Sequence, residues 1–419
     1  MKKITLITAL LTTSLLNANP TNDELKEFQN FKNQTNTEFN NYKKELNEGF
    51  KQYVDELSKG FNQYKKELSK YWDNPELSSK KVFVEYSKDK KIKKKVDFDK
   101  NYIELDVIAK NKKEAKEKMA KSLYSLATET NRDAFKNNPV LVKVNKKLKT
   151  NPKLQNVIKD DKPSNEPIIT DIIFKKKPKT KQVINFAINT IKKHPIIEKK
   201  SKIPNTLIYS IRIPLPSNRL LVKAKQFKND VEKRAKEFKL KEPFIFAIIH
   251  TESSFNPMAR SYVPAFGLMQ IVPTTAGADA YKSIYGRKKI LTPGYLYNAH
   301  NNILIGSAYL KKIYYGYMRK IKNPISRLYC TIAAYNTGAG NVACAFNSTS
   351  KDYRGRTICK RSRGDYNIIK ASYKINKMTP SQVYNHLLTN LKYDEPKKYL
   401  KKVTKRFLMY SKVLNSGKL

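Results

Sequence analysis

From residue 22 to residue 72 the apolar positions recur every 11 residues. Phe28, Phe39, Phe50, Phe61 and Trp72 share one place in the repeat. Phe31, Tyr42, Tyr53 and Tyr64 fall three later, and Leu46, Leu57 and Leu68 seven later. Intervals of 3, 4 and 4 put these side chains on one helical face, because 11 residues make about three turns with little drift. The opposite side is Lys- and Glu-rich, which predicts one amphipathic helix about 75 Å long at 1.5 Å per residue. An aromatic stripe of this length needs cover. The residues leave open whether that is the chain itself, another copy or a membrane surface.

The periodicity then changes. Residues 82–86, 94–98 and 102–108 read as strands, the last two forming a hairpin around Asp99-Lys100-Asn101, and residues 208–215 alternate like a further strand. Helical spacing marks 112–128 and 181–193, while the Lys- and Pro-rich stretch 137–180 reads as a solvated, partly flexible connection. From Ser217, a candidate cap, the pattern is almost wholly helical: 217–238, then 273–284, 298–317, 324–336, 379–388 and 396–414. Pro243 suits the first turn of a helix carrying the apolar run 244–249. The expected fold class is α+β. A long N-terminal amphipathic helix (19–74) and a mixed α+β domain (75–216) precede an all-α domain (217–419).

Charge and the N-terminus narrow the setting. The 84 Lys and Arg against 36 Asp and Glu give +48, which calls for an anionic partner: nucleic acid, acidic lipid or peptidoglycan. Lys2-Lys3, an apolar stretch over 4–16 and small residues around Ala18 read as a secretory signal peptide, residues 1–18, with the mature chain beginning near Asn19. Export disfavours nucleic acid. Of the three cysteines, Cys344 and Cys359 flank a polar loop that a disulfide would close, and Cys330 sits in an apolar helix as a buried thiol. No Cys/His spacing suggests a metal site, and no cofactor is expected.

Candidate chemistry centres on Glu252. The apolar run leads through His250-Thr251 to this carboxyl, and Ser253-Ser254-Phe255-Asn256-Pro257 ends the helix. A carboxyl at the mouth of a buried helix has its charged form disfavoured, which suits a general acid near neutral pH. His250, two positions earlier, points elsewhere on the helix and is not expected to act as a base.

Three blocks carry a resemblance to the catalytic domain of soluble-type lytic transglycosylases, relatives of goose-type lysozyme. They are Glu252 to Pro257 continuing to Gly267-Leu268-Met269-Gln270, then the run from Ala334 to Asn341, then Glu395-Pro396-Lys397-Lys398-Tyr399. Residues 72–108 and 207–215 resemble, more loosely, the N-terminal domain of the membrane-bound lytic murein transglycosylase C family. The resemblance implies an α-helical lysozyme-like catalytic domain. It also implies cleavage of the N-acetylmuramic acid–N-acetylglucosamine bond of peptidoglycan without water, leaving a 1,6-anhydro ring. Glu252 would then be both acid and base, with the substrate's N-acetyl group assisting. Residues matching substrate-binding positions are Ser261, Met269, Gln270, Tyr335, Asn336 and Tyr399, while Glu395 is either substrate-binding or structural. Lipoprotein members carry a Cys at the signal cleavage site, whereas the first Cys here is Cys330. A soluble or peripherally attached periplasmic protein without a lipid is therefore expected, with peptidoglycan strands as its partner and residues 22–72 meeting a membrane or a second copy.

Overall fold

The computed structural model describes residues 22–262 and 264–419, so the signal peptide expected at 1–18 lies outside the described residues. Residues up to Gly49 form one unit and Phe50–Leu419 a second. The helix α1 spans Asn22–Leu68. Within the second unit its apolar stripe is covered by the chain itself: Tyr53, Leu57, Phe61 and Leu68 are buried, as is Trp72 just beyond. Leu68 and Trp72 pack on Val84, Tyr86 and Ile108, and the Trp72 indole donates to the Lys90 carbonyl at 2.9 Å. For residues 50–72 the cover is therefore the chain itself, with Tyr53 edge-on to Phe266 and Phe61 beneath the Arg260 guanidinium, while Leu68 and Trp72 lie on the sheet.

That sheet has five antiparallel strands in the order β1-β2-β3-β6-β5. They are β1 (Val82–Tyr86), β2 (Ile92–Asp97), β3 (Tyr102–Ala109), β5 (Ile196–Lys200) and β6 (Leu207–Pro214). The β2–β3 hairpin turns at Asp99-Lys100-Asn101 as its sequence predicts, with Asn101 at φ 69°. Helix α2 (Lys112–Thr128), capped by Asn111, packs on β3, and α3 (Thr180–Lys193) packs beside it.

The stretch 137–180 is not a solvated connection. Asn138 caps a helix with Pro139 in its first turn, and Val140, Leu141, Val144 and Leu148 are buried at helical spacing. Its lysines lie on the outer face, so a high Lys content hid an ordinary amphipathic helix. A two-residue strand, β4 (Ile158–Lys159), follows and pairs in parallel with β7 (Ile290–Leu291). The region beyond 217 is accordingly helical but not purely α. Ser217 is not the cap there: helices Arg219–Gln226 and Lys228–Phe238 replace the single expected helix and meet at Phe227.

Five further helices frame the site: α4 (Glu242–Ser253), α5 (Ala299–Lys311), α6 (Pro324–Thr337), α7 (Ala339–Asn347) and α8 (Asp394–Asn415). Helix α4 is buried on all sides from Phe244 onward and packs along α8. Cys344 in α7 is bonded to Cys359 across a separation of 15 residues, with Cα atoms 5.8 Å apart, and Cys330 is a buried free thiol whose pKa burial raises. A loop of that length makes the bond worth about 3 kcal/mol through the unfolded chain. Replacing Cys344 and Cys359 together by Ser should lower stability by that amount in chemical denaturation. Reductant should then weaken the parent chain and leave the variant unchanged.

Candidate active site

Helix α4 ends because two consecutive residues, Ser254 at φ 51° and Phe255 at φ 62°, adopt the left-handed conformation. Neither is glycine, so the turn is strained. Burial of Phe255, stacked on Phe227 at 6.4 Å, offsets that strain. The result is an abrupt stop that leaves Glu252 in the last turn at 5% exposure. Burial raises its carboxyl pKa; Lys80, 3.7 Å away, opposes the shift, and Glu395 adds to it. The Tyr399 hydroxyl also approaches closely enough to lower the Glu252 pKa, yet stops short of a full hydrogen bond.

A cavity of 350 Å³ opens beside this carboxyl, lined by Thr251, Glu395 and Tyr399 together with Lys80, Lys81, Lys398 and Lys402. Among the acids beyond Glu252 in the helical region, Glu395 is the one that lines this cavity. Asp279 is held between Lys288 and Lys312 at 3.0 and 3.1 Å, Asp352 by Arg356 at 2.7 Å, and Asp365 by Arg363 at 3.0 Å. His250 faces the core instead. Its Nδ1 lies 3.1 Å from the Tyr410 hydroxyl, and burial pushes its pKa down to about 3, so the ring is neutral.

The 266–270 turn forms a second wall. Gly267 sits at φ 74°, and a Cβ there would meet the Asn302 amide and lie 2.5 Å from the Leu296 carbonyl oxygen, so no larger residue fits. Asn302, fully buried on α5, donates to the Phe266 and Leu296 carbonyls at 2.8 and 2.9 Å and accepts from the Met269 N–H at 2.8 Å. Gln270, at φ 49°, donates its amide to the Gly267 carbonyl at 3.0 Å, while its buried Oε1 has no hydrogen-bond partner among the described residues. Tyr335 on α6 donates to the Met269 carbonyl at 2.8 Å and feels the Glu252 charge.

The fold thus brings Glu252, Tyr335, Tyr399 and Glu395 together, with Asn336 donating to Glu395 at 3.4 Å. Two expected positions differ. The Met269 side chain is fully buried against Gly306 and does not line a cleft; the residue contributes its carbonyl to Tyr335 instead. Ser261 exchanges hydrogen bonds with Ala265 and lines an adjoining groove of 1050 Å³, bounded also by Phe61, Arg260, Tyr262 and Lys80, rather than the Glu252 cavity. Sequence reasoning missed Lys80 and Asn302. Lys80 was one of 84 basic residues, and Asn302 carried no signal beyond lying near a helix start.

Residues 230–355 match the family model described as Transglycosylase SLT domain. That segment holds Glu252, the 267–270 turn and the Tyr335-Asn336 block, and ends before Glu395. Membrane-bound lytic murein transglycosylase C of Klebsiella pneumoniae (strain 342) is 38% identical over 197 residues, covering 47% of this chain and 49% of that protein. The protein of the same name from Haemophilus influenzae (strain PittEE) is 37% identical over 195 residues, covering 46% and 49%. The chain spans about half the length of these curated relatives. The 70 kDa soluble lytic transglycosylase of Escherichia coli aligns at 22% identity and a TM-score of 0.31 over 45% of this chain and 24% of that one, a likeness too slight to argue from. The family resemblance read from the motif blocks is borne out by the relatives and, for the first two blocks, by the family model.

Proposed function

We propose that this chain is a peptidoglycan lytic transglycosylase in which Glu252 serves first as acid and then as base. The observation that carries the reading is a buried carboxyl with a raised pKa, open to a cavity and set in the segment that matches the SLT family model. A carboxyl whose pKa burial raises holds its proton further up the pH scale and can give it to the glycosidic oxygen between N-acetylmuramic acid and N-acetylglucosamine. The substrate's own N-acetyl group stabilises the cationic carbon. Glu252, now ionised and stabilised by Lys80, takes the proton of the muramoyl 6-hydroxyl, whose oxygen closes the 1,6-anhydro ring. No water enters the product.

The neighbours fit this sequence of events. The unpartnered Oε1 of Gln270 is a buried acceptor suited to an acetamido N–H. Tyr399 orients the Glu252 carboxyl, Tyr335 braces the turn that carries Gln270, and Asn336 with Glu395 offers polar contacts at the cavity edge. Ser261 would meet sugar in the adjoining groove. Peptidoglycan would be met in the periplasm, and its peptide carboxylates suit a chain of charge +48. Mass spectrometry of fragments released from sacculi tests the proposal. Products lighter by one water than hydrolysed muropeptides are expected, and products that have gained water would overturn it in favour of a hydrolase.

Residues 217–419 we assign to chemistry, 75–216 to its support, and the N-terminal part of the long helix to attachment, at a membrane surface or through a second copy. No helix among the described residues is long and apolar enough to cross a membrane. Deleting residues 22–49 should leave cleavage of soluble glycan fragments nearly unchanged while altering oligomeric state or sedimentation with membranes. Extending the deletion to residue 72 removes Tyr53, Leu57, Phe61, Leu68 and Trp72 from the core and should abolish folding. A shorter deletion that kept its fold but lost its chemistry would refute the assignment to attachment.

A further inference from the structure

We propose that Lys80, supplied by the segment leading into β1, is the positioning residue whose charge sets the ionisation of Glu252 and so the pH range of the reaction. It lies outside the segment 230–355 that matches the family model, and its role rests on the reading of Glu252 as the proton donor.

The geometry is specific. Among the described residues, Lys80 is the cation within ion-pair distance of the Glu252 carboxylate, with Nζ 3.7 Å from Oε2. Its neighbour Lys81 is engaged elsewhere, bound to Asp99 at 2.7 Å, where Ser254 also donates. From α8, Glu395 and Tyr399 face the same carboxyl, and Lys398 and Lys402 line the cavity without reaching ion-pair distance. From α6 comes the Tyr335 hydroxyl, committed to the Met269 carbonyl. Burial and the nearby Glu395 therefore disfavour the charged form of Glu252, while Lys80 and, less strongly, the Tyr399 hydroxyl favour it; of the two, only Lys80 brings a full opposite charge.

The backbone of this segment is fixed by the stretch that ends the Glu252 helix. Asn256, fully buried, directs its amide toward the Ser79 and Lys80 carbonyls at 3.5 and 3.4 Å, and the Arg260 N–H donates to the Ser79 carbonyl at 3.3 Å. The Ser79 N–H in turn donates to the Val82 carbonyl at 2.8 Å, tying the segment to β1. The Asn256 side chain, three residues beyond the helix end, thus holds in place the residue that carries the counter-charge. The Lys80 side chain is 41% exposed, so it can be replaced without opening a hole in the core, and solvent screens part of its effect.

An opposite charge at this separation moves a carboxyl by one to three pH units, and partial exposure puts Lys80 near the lower end. The test uses the full chain with Lys80→Met, Lys80→Gln and Lys80→Arg. The Glu252 titration is followed by carbon-13 NMR of its carboxyl, assigned from the signal missing in Glu252→Gln, and the pH profile of kcat/KM on glycan strands is measured alongside. Lys80→Met and Lys80→Gln should raise the Glu252 midpoint by about one unit and carry the alkaline limb of the profile with it. Lys80→Arg should restore both. An unmoved midpoint in either neutral variant overturns the proposal, because the titration does not depend on turnover. A moved midpoint in a chain that releases no anhydro product would support the coupling while refuting the proposed function.

Discussion

Glu252→Gln should lower the release of anhydro-muropeptides from sacculi by about 10²- to 10⁴-fold, the range expected when a positioned acid–base group is removed. Gln has the shape of the carboxylic acid but can neither give a proton to the leaving oxygen nor take one from the 6-hydroxyl. The pH dependence follows from the same burial. Because the folded-state pKa is raised above the ordinary value for Glu, about 4.3, the acid stays protonated as pH rises past that value. Activity should then fall as pH climbs through the raised pKa. Stability has the same sign. Between the two values the folded state binds more protons than the unfolded one, so stability falls as pH rises through that window. Gln removes this cost, so the variant should be at least as stable as the parent at neutral pH. Thermal unfolding run beside the product assay decides the matter: an inactive variant that is also markedly less stable would point to lost structure rather than a lost acid.

The second large effect is on stability. Asn302→Ala should lower the unfolding free energy by roughly 2–5 kcal/mol, because the Met269 N–H and the Leu296 carbonyl would be left buried without partners at about 1–3 kcal/mol each, while the Phe266 carbonyl would keep only its bond from the Ile271 N–H. The chemistry should suffer with it. The same side chain holds the turn that presents Gln270 and the carbonyl on which Tyr335 rests. Denaturant midpoints and activity measured on the folded fraction separate the two effects. A loss below about 1 kcal/mol would mean that water can take over the three bonds and that Asn302 is not what holds the turn.

Local pattern carried much of this molecule. Strand-like runs, the turn at Asp99-Lys100-Asn101 and the alternation over 208–215 located β1, the β2–β3 hairpin and β6 to within a residue or two, because strand propensity, turn residues and alternation are local properties of the chain. The 11-residue repeat found α1, and the run 244–249 found the buried helix that ends at Glu252, because helical period and unbroken apolarity are properties of the chain alone. Where charge masked apolar spacing, as at Val140, Leu141, Val144 and Leu148, the helix was missed. The two-residue pair of Ile158–Lys159 with Ile290–Leu291 was also missed, since a strand that short has no period to read.

The raised pKa of Glu252 could be anticipated from its own neighbours in sequence, because desolvation follows from an apolar helix. What only the tertiary structure decided is which groups meet that carboxyl. Lys80 reaches it across 172 positions of chain, Tyr399 across 147, and Asn302 fixes the facing turn from a helix of its own. One lysine among 84 basic residues reads like any other in the sequence. Likewise, Met269 was expected in the cleft and is sealed against Gly306 instead, because both orientations suit an apolar residue and the approach of α5 chose between them. Burial and period act between neighbours along the chain and are written there; ion pairs and hydrogen bonds act over a few ångströms between residues that are distant in sequence, so folding alone selects the partners.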